Sequence, residues 1–431
     1  MIELTKEPET ANMNQRNEVS RLMIKLDPGA AAVIRALEAA GFKAYVVGGC
    51  VRDSLLGKQP HDWDLCSSAT PEQVLEVFTP ERCIPTGLKH GTITVKQDGG
   101  LYEVTTFRTE GTYTDGRHPD DVQYIGDLTG DLARRDFTMN AMAYNEADGL
   151  VDPFGGREDL LVRRVVRAVG DPMQRFGEDA LRIMRLFRFA ARERLDMEQE
   201  TLCAALALKE NLRRISAERI REEMLGLLKA ERPGRWILPD VFGVFLPEIV
   251  QQDACEFNHI TRLIDAAPAV REVRLAALLH GAGGQARSIM RRLRFDVKTM
   301  DAVAELTELA GMTPETQEEA LRLQVRRFLN QWGDERAMQL CMLRAAQIAA
   351  GEALPSLDGF AQMAKDVRAQ GLCCSLKELA VNGGDLICEL GMKSGSGLGD
   401  LLAQLLDDVV TMRLDNSREA LLRAARERLG A

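Results

Sequence analysis

From Val46 to Leu65 the chain reads VVGGCVRDSLLGKQPHDWDL, an order that leaves little choice of local structure. Val46 and Val47 suit a buried strand, and Gly48-Gly49 a turn that lets the backbone approach a ligand. Val51 to Leu56 reads as the first turns of a helix, and a second extended segment then carries Asp62 and Asp64. Alternate residues of a strand project from one face, so both carboxylates address one spot. Two carboxylates held together repel unless something positive lies between them, and Mg2+ is the usual answer. A helix N-terminus behind a glycine turn favours phosphate. Metal-binding carboxylates beside a phosphate cradle are what phosphoryl or nucleotidyl transfer requires.

The rest of the chain divides by periodicity. Ala30 to Ala40 reads as a helix ending at Gly41, and Pro71 to Phe78 as another capped by Thr70. Strand-like runs occupy Ala44–Val47, Trp63–Cys66, Thr92–Lys96 and Leu101–Phe107, so a mixed sheet-and-helix head should end near Phe154. From Leu160 onward amphipathic helices dominate, with joints at Glu231–Gly234, Gly281–Gly284 and Gly351–Pro355. Aromatic content of 5% and long runs rich in Ala, Leu, Arg and Glu fit that helical body. No apolar run is long enough to span a bilayer and residues 1–17 are too polar for a signal peptide, so a cytoplasmic chain with no membrane partner is expected. Nine cysteines without a C-x-x-C pair read as buried or bystander thiols. A net charge of −10 argues at first against nucleic acid, yet arginines cluster between Arg157 and Arg221 and in Arg287–Arg294. Local potential decides such binding, so composition leaves the partner open.

Further motifs follow in a fixed order. Arg134 to Ala141 reads RRDFTMNA, Asp152 to Gly156 DPFGG, Glu178 to Arg182 EDALR and Ile215 to Ile220 ISAERI. Together with the Val46–Leu65 stretch they resemble the motifs of class II CCA-adding tRNA nucleotidyltransferases and bacterial poly(A) polymerases. The resemblance covers most of residues 40–225 firmly and 370–425 loosely. It implies an α+β fold: a nucleotidyltransferase head with a small mixed β-sheet, followed by all-α neck, body and tail. The expected bounds are a polar lead-in at 1–27, head at 28–155, neck at 156–230, body at 231–355 and a tRNA-binding tail at 356–431.

Several side chains then acquire candidate roles. Asp62 and Asp64 would hold Mg2+, and Glu103, on the run Leu101–Phe107, is a candidate third carboxylate, with an ordinary strand-face residue the equal alternative. Gly49 and Arg52 follow the glycine turn and should face phosphates; for Arg52 a surface pair with Asp53 is the less favoured alternative. In Arg134-Arg135-Asp136 the resemblance favours one arginine on a triphosphate, Arg135 first, over a cap cluster starting a helix Phe137–Tyr144. Arg185 and Arg188 would assist. The irregular run Thr106–Leu128 resembles the flexible loop associated with switching from C to A addition, which argues against a CC-only enzyme.

Base choice has its own chemistry. On a helix starting near Glu178, Asp179 and Arg182 are neighbours, whereas Arg188 falls on the opposite side. Cytosine and adenine both present an amino donor beside a ring-nitrogen acceptor; Asp accepts from the first and Arg donates to the second. Guanine and uracil reverse both contacts, and unpaired buried polar groups are costly. An i, i+3 helix salt bridge without ligand is the plainer alternative, which spacing alone favours and the resemblance reverses.

Two stretches look like sites without fitting one. His259 to His280 resembles the start of an HD phosphohydrolase domain, but Gly281 follows where an Asp is needed, so a degenerate remnant without a metal site is expected. Gly391 to Gly399 lacks P-loop spacing; there Lys393 could meet an RNA phosphate, or the glycines could form a plain helix–helix turn. The expected activity is template-independent addition or repair of the tRNA 3′-CCA from CTP and ATP by a monomer, with Mg2+ assisting attack of the 3′-OH on the α-phosphate. An A-adding enzyme keeps the same motifs. A poly(A) polymerase fits less well, because Glu81–Val95 lacks a GRRF-like stretch. A D-x-D glycosyltransferase leaves the later motifs unexplained, and a non-catalytic RNA-binding protein has no use for the carboxylate pair.

Overall fold

The computed structural model describes residues 24–88, 91–110, 122–250 and 254–429. They form two compact units, one ending at Ile215 and the other starting at Ser216, a division inside the stretch expected as neck.

In the first unit, α1 (Pro28–Ala39) starts where the Asp27 carboxylate accepts the Gly29 and Ala30 N–H groups. β1 (Ala44–Val47) turns through Gly48, at φ 78° and ψ −123°, into α2 (Gly49–Leu55). β2 (Leu65–Ser67) precedes α3 (Pro71–Phe78), whose Thr70 and Gln73 form the reciprocal cap that the sequence offers. Next come β3 (Cys83–Gly87), β4 (Thr92–Gln97), β5 (Gly100–Thr106), β6 (Arg108–Glu110), β7 (Val122–Tyr124), α4 (Leu128–Ala133), β8 (Ala143–Asn145) and β9 (Gly149–Val151).

Seven strands make one sheet in the order β3-β4-β5-β2-β1-β8-β9. All neighbours are antiparallel except β2 and β5, so the sheet is mixed, as expected. Tyr45, Val47, Cys66 and Phe107 pack with Leu128 and Leu132 of α4 into a buried cluster. Antiparallel β6 and β7 flank residues 111–121, so the heart of the expected C-to-A loop lies outside the described residues.

The strand expected at Trp63–Cys66 begins only at Leu65. A larger difference lies in Phe137–Tyr144, which is no α-helix. A 3-10 turn at Thr138–Asn140 leads into β8, because Ala143 and Tyr144 are claimed by ladder pairing with Val47 and Val46.

The second unit is helical. Its described helices include Ala254–Ala266, Arg271–Leu278, Val297–Leu309, Glu318–Ala349, Gly383–Leu390 and Ser396–Val410. Leu386, Leu401, Leu405, Val409 and Leu421 form a buried cluster at its C-terminal end. Among the described residues no helix is long and apolar enough to cross a membrane. The nine cysteines are free.

Candidate active site

The register of two strands assembles the acidic group. β2 runs parallel to β5 with Leu65 opposite Val104, so one step back along both strands Asp64 comes level with Glu103. The Val47 N–H donates to the Asp64 carbonyl (2.9 Å), which extends the β1 pairing to Asp64 although β2 itself starts a residue later. Asp62, two residues before it and outside the strand, is near enough for its charge to act on Asp64. Asp62, Asp64 and Glu103 all keep solvent access. Enough protein surrounds Asp64 that burial pushes its carboxyl above the usual range; Glu103 and Asp62 add to the push and Arg135 opposes it. A cleft of about 1130 Å³ opens beside Asp62, between α1, α2 and the start of β5, with Lys58 and Tyr102 on its wall.

Arg135, just after α4, is the cation at this edge. A Cβ at Gly48 would lie 3.1 Å from its Nη1, so only glycine leaves this room at a positive φ. Arg135 Nη2 lies 3.4 Å from Asp131, and its buried Nε has no hydrogen-bond partner. A buried donor left open beside a glycine turn is what an incoming phosphate oxygen could satisfy. Gly49 is less constrained, since a Cβ there would meet only Arg52 Nη2, at 3.7 Å.

Arg52 is buried rather than a surface residue, and its guanidinium is committed. It donates to Asp53 (2.9 and 2.7 Å) and to Asn140 Oδ1 (2.6 Å), and lies 5.2 Å from the Phe189 ring. The third motif works through its backbone. Asp152 accepts the Gly156 and Arg157 N–H groups at the start of α5 (Gly156–Glu158).

The base-selection residues are arranged differently from expectation. α6 (Pro172–Glu178) stops before Asp179, which is extended at φ −135°, and α7 (Leu181–Glu193) carries Arg182, Arg185 and Arg188. Asp179 therefore precedes this helix and accepts the Leu181 N–H (2.9 Å); short polar side chains compete well for such caps. The carboxylate on Arg182 is Glu178 (2.7 Å), and the guanidinium also donates to the carbonyls of Arg175 and Arg134 (3.0 Å each). Arg185 pairs with Asp136 (2.6 Å). Burial alone would raise the Asp136 carboxyl, but Arg185 and the Asn140 amide outweigh it and bring it to about 2. Arg185 and Arg188 also stand over Phe189, at 5.2 and 4.2 Å from its centroid. Sequence reasoning missed Asn140 and Glu193, which hold Arg52 (2.6 and 3.7 Å), and Phe189, over which Arg52, Arg185 and Arg188 stand. Asn140 could have been suspected from its place four residues after Asp136 in the same motif.

In the second unit, Lys393 is exposed between helices Gly383–Leu390 and Ser396–Val410, and Gly391, at φ 64°, ends the first of these. Elsewhere in this unit His259 and His280 come together with Glu352, a convergence that spacing did not foresee. Burial lowers the His280 pKa against the opposing charges of Glu352 and Glu256, and His259 lowers it further.

Comparison with known proteins places this arrangement. Residues 44–167 match the family described as Poly A polymerase head domain, and residues 271–425 match tRNA nucleotidyltransferase domain 2. The chain is 34% identical over 404 residues to the CCA-adding enzyme of Levilactobacillus brevis, covering 91% of this chain and 96% of the relative. The chain belongs to the CCA-adding enzyme family. The CCA-adding enzyme of Streptococcus gordonii is 37% identical over 403 residues, covering 92% of this chain and 96% of the relative. Among solved structures, the Bacillus stearothermophilus CCA-adding enzyme in complex with CTP aligns with a TM-score of 0.74 at 33% identity, over 94% of this chain and 98% of that one. A Thermotoga maritima CCA-adding enzyme complexed with tRNA shares the fold, with a TM-score of 0.61 at 21% identity over 95% of this chain and 97% of that one.

Proposed function

We propose that this chain completes or repairs the 3′-CCA end of tRNA from CTP and ATP, as a cytoplasmic monomer, with the four-part division into head (28–155), neck (156–230), body (231–355) and tail (356–431) read from its sequence. The observation that carries the proposal is the alignment of Asp64 with Glu103 beside Asp62, facing Arg135 and its open Nε across the Gly48 turn.

The donor set fits magnesium: the ligands are carboxylate oxygens, and Asp64 is held above its ordinary pKa by burial and by like charge that a cation would relieve. Asp62 and Asp64 would hold the ion, which supplies charge neutralisation at the α-phosphate and acidifies the attacking hydroxyl. Glu103 adds negative potential at Asp64 and would help draw the cation to this edge. Arg135 offers its Nε to the triphosphate, and the Gly48–Gly49 turn admits the phosphates closely. Arg185 and Arg188 add positive potential from α7, and Arg52 ties α2 to Asn140 and to Glu193 of α7.

Asp179 and Arg182 choose the base. Three anchors, Glu178 and the Arg175 and Arg134 carbonyls, keep the Arg182 guanidinium rigid, and a rigid donor discriminates better than a mobile one. Lys393, exposed on the second unit, contributes to RNA phosphate binding.

The test offers tRNA lacking CCA, tRNA ending in CC, and complete tRNA, each with CTP alone, ATP alone, or both. Addition of C, C and A to the shortest substrate supports the proposal. A single A on the CC-ending substrate only would make the chain an A-adding enzyme. A long A tract on any RNA would make it a poly(A) polymerase.

A further inference from the structure

Among the described residues, one trio of His, Cys, Asp or Glu brings a donor atom from each residue within 4.8 Å of the others, and it lies far in sequence from the carboxylates above. His259 projects from the helix Ala254–Ala266, His280 follows the helix Arg271–Leu278, and Glu352 follows the helix Glu318–Ala349 just past Gly351, at φ 103°. Both imidazoles turn Nε2 toward the same oxygen, Glu352 Oε1, at 2.9 Å from His259 and 3.4 Å from His280. The rings stand 5.5 Å apart, tilted by 56°.

We infer that His259, His280 and Glu352 form a binding site for a divalent transition-metal ion of the zinc class, which would staple the helix Ala254–Ala266 to the ends of two other helices of the second unit. The spacing suits it. Bonds of about 2.0–2.1 Å in tetrahedral geometry put ligand atoms about 3.4 Å apart. The His280–Glu352 separation already has that value, and the His259 contact needs to open by about 0.5 Å. Two imidazoles and one carboxylate leave a fourth position for water and select zinc over magnesium, which prefers all-oxygen sites.

The supporting shell is also built. Glu352 Oε2 accepts from Gln347 Nε2 (3.0 Å), and the Glu352 N–H donates to the Gln347 carbonyl (3.0 Å). Gln347 Oε1 in turn accepts from Arg344 (3.3 Å), a fully buried residue whose other donors go to the Ala310, Met312 and Pro355 carbonyls. Such outer partners fix a ligating carboxylate in orientation. A purely hydrogen-bonded cluster would need a proton on both Nε2 atoms, whereas a metal site needs both lone pairs free, so the two arrangements require opposite tautomers.

The test titrates the full-length metal-stripped chain with Zn2+ by calorimetry, beside His259→Ala, Glu352→Gln and Gln347→Ala. Circular dichroism checks that each variant folds. The wild type should bind one equivalent more than His259→Ala or Glu352→Gln, and should melt at a higher temperature with zinc, a shift that both variants lose. Gln347→Ala should keep the site with affinity weakened about 10- to 100-fold. Co2+ should give a tetrahedral visible spectrum in the wild type and, at higher Co2+, in Gln347→Ala, and none in His259→Ala or Glu352→Gln. Equal stoichiometry in wild type and Glu352→Gln, or no cobalt spectrum in the folded wild type, would overturn the inference.

Discussion

Two charged regions of the first unit solve opposite problems. At the acidic edge, Asp62, Asp64 and Glu103 gather like charge, and Asp64 is pushed upward in pKa by burial and by its neighbours. Near α7, Asp136 is more buried still, yet Arg185 and Asn140 bring it down to about 2. Under the proposed function, the first region takes its counter-charge from a bound cation. The second carries its own counter-charges, which fix where the arginines point before any nucleotide arrives. Reaction chemistry belongs in a region that gains its partner on binding, and selection in one that does not move.

The comparison is broken most sharply by removing the carboxylates. Asp62→Ala or Asp64→Ala should lower nucleotide addition by about 10³-fold or more, measured as single-turnover extension of tRNA, with folding retained. Next in size, Arg182→Ala or Asp179→Ala should erode the preference for C and A over G and U by about 10²-fold in kcat/KM. Arg182→Ala should do so more cleanly, since Asp179 also accepts the Leu181 N–H at the start of α7.

Asp136→Asn should destabilise the fold by about 2 kcal/mol in urea unfolding, less than a fully buried pair because Arg185 can turn to water. The sign follows from the depressed pKa. The Asp136 contribution is present above the ordinary aspartate range and is lost as pH falls from about 4 toward 2, so the wild type should lose its advantage over the variant there. The smallest effect has the opposite sign. Asp64 is raised, so its charged form weakens the metal-free fold at neutral pH, and Asp64→Asn should raise Tm without Mg2+ while abolishing transfer. That difference should vanish once pH falls below the ordinary carboxylate range, where both forms are neutral.

What the sequence made legible separates along the same line. The acidic edge depends on local alternation, so D-x-D could be read directly, whereas Glu103 is an even choice in the sequence and only the β2–β5 register brings it level with Asp64. The Thr70 cap, β1 and the sheet-to-helix change were equally local. The arginine region depends on contacts across many residues. Helix periodicity put Asp179 on the helix of Arg182, but a helix break at Asp179 gave Arg182 to Glu178 instead. Phe137–Tyr144 carried helix-compatible residues, and ladder pairing with β1 overrode that propensity. The same limit hid the His259–His280–Glu352 convergence, where the carboxylate comes from a helix end far along the chain.

The most direct measurement of the central claim is the titration of the Asp64 side-chain carboxyl by carbon NMR, with and without Mg2+. The account predicts a midpoint above the ordinary aspartate range in the metal-free chain, moving downward when Mg2+ is added, as a cation stabilises the carboxylate. A midpoint that Mg2+ leaves unchanged would contradict the reading of this edge as the metal site of nucleotide transfer.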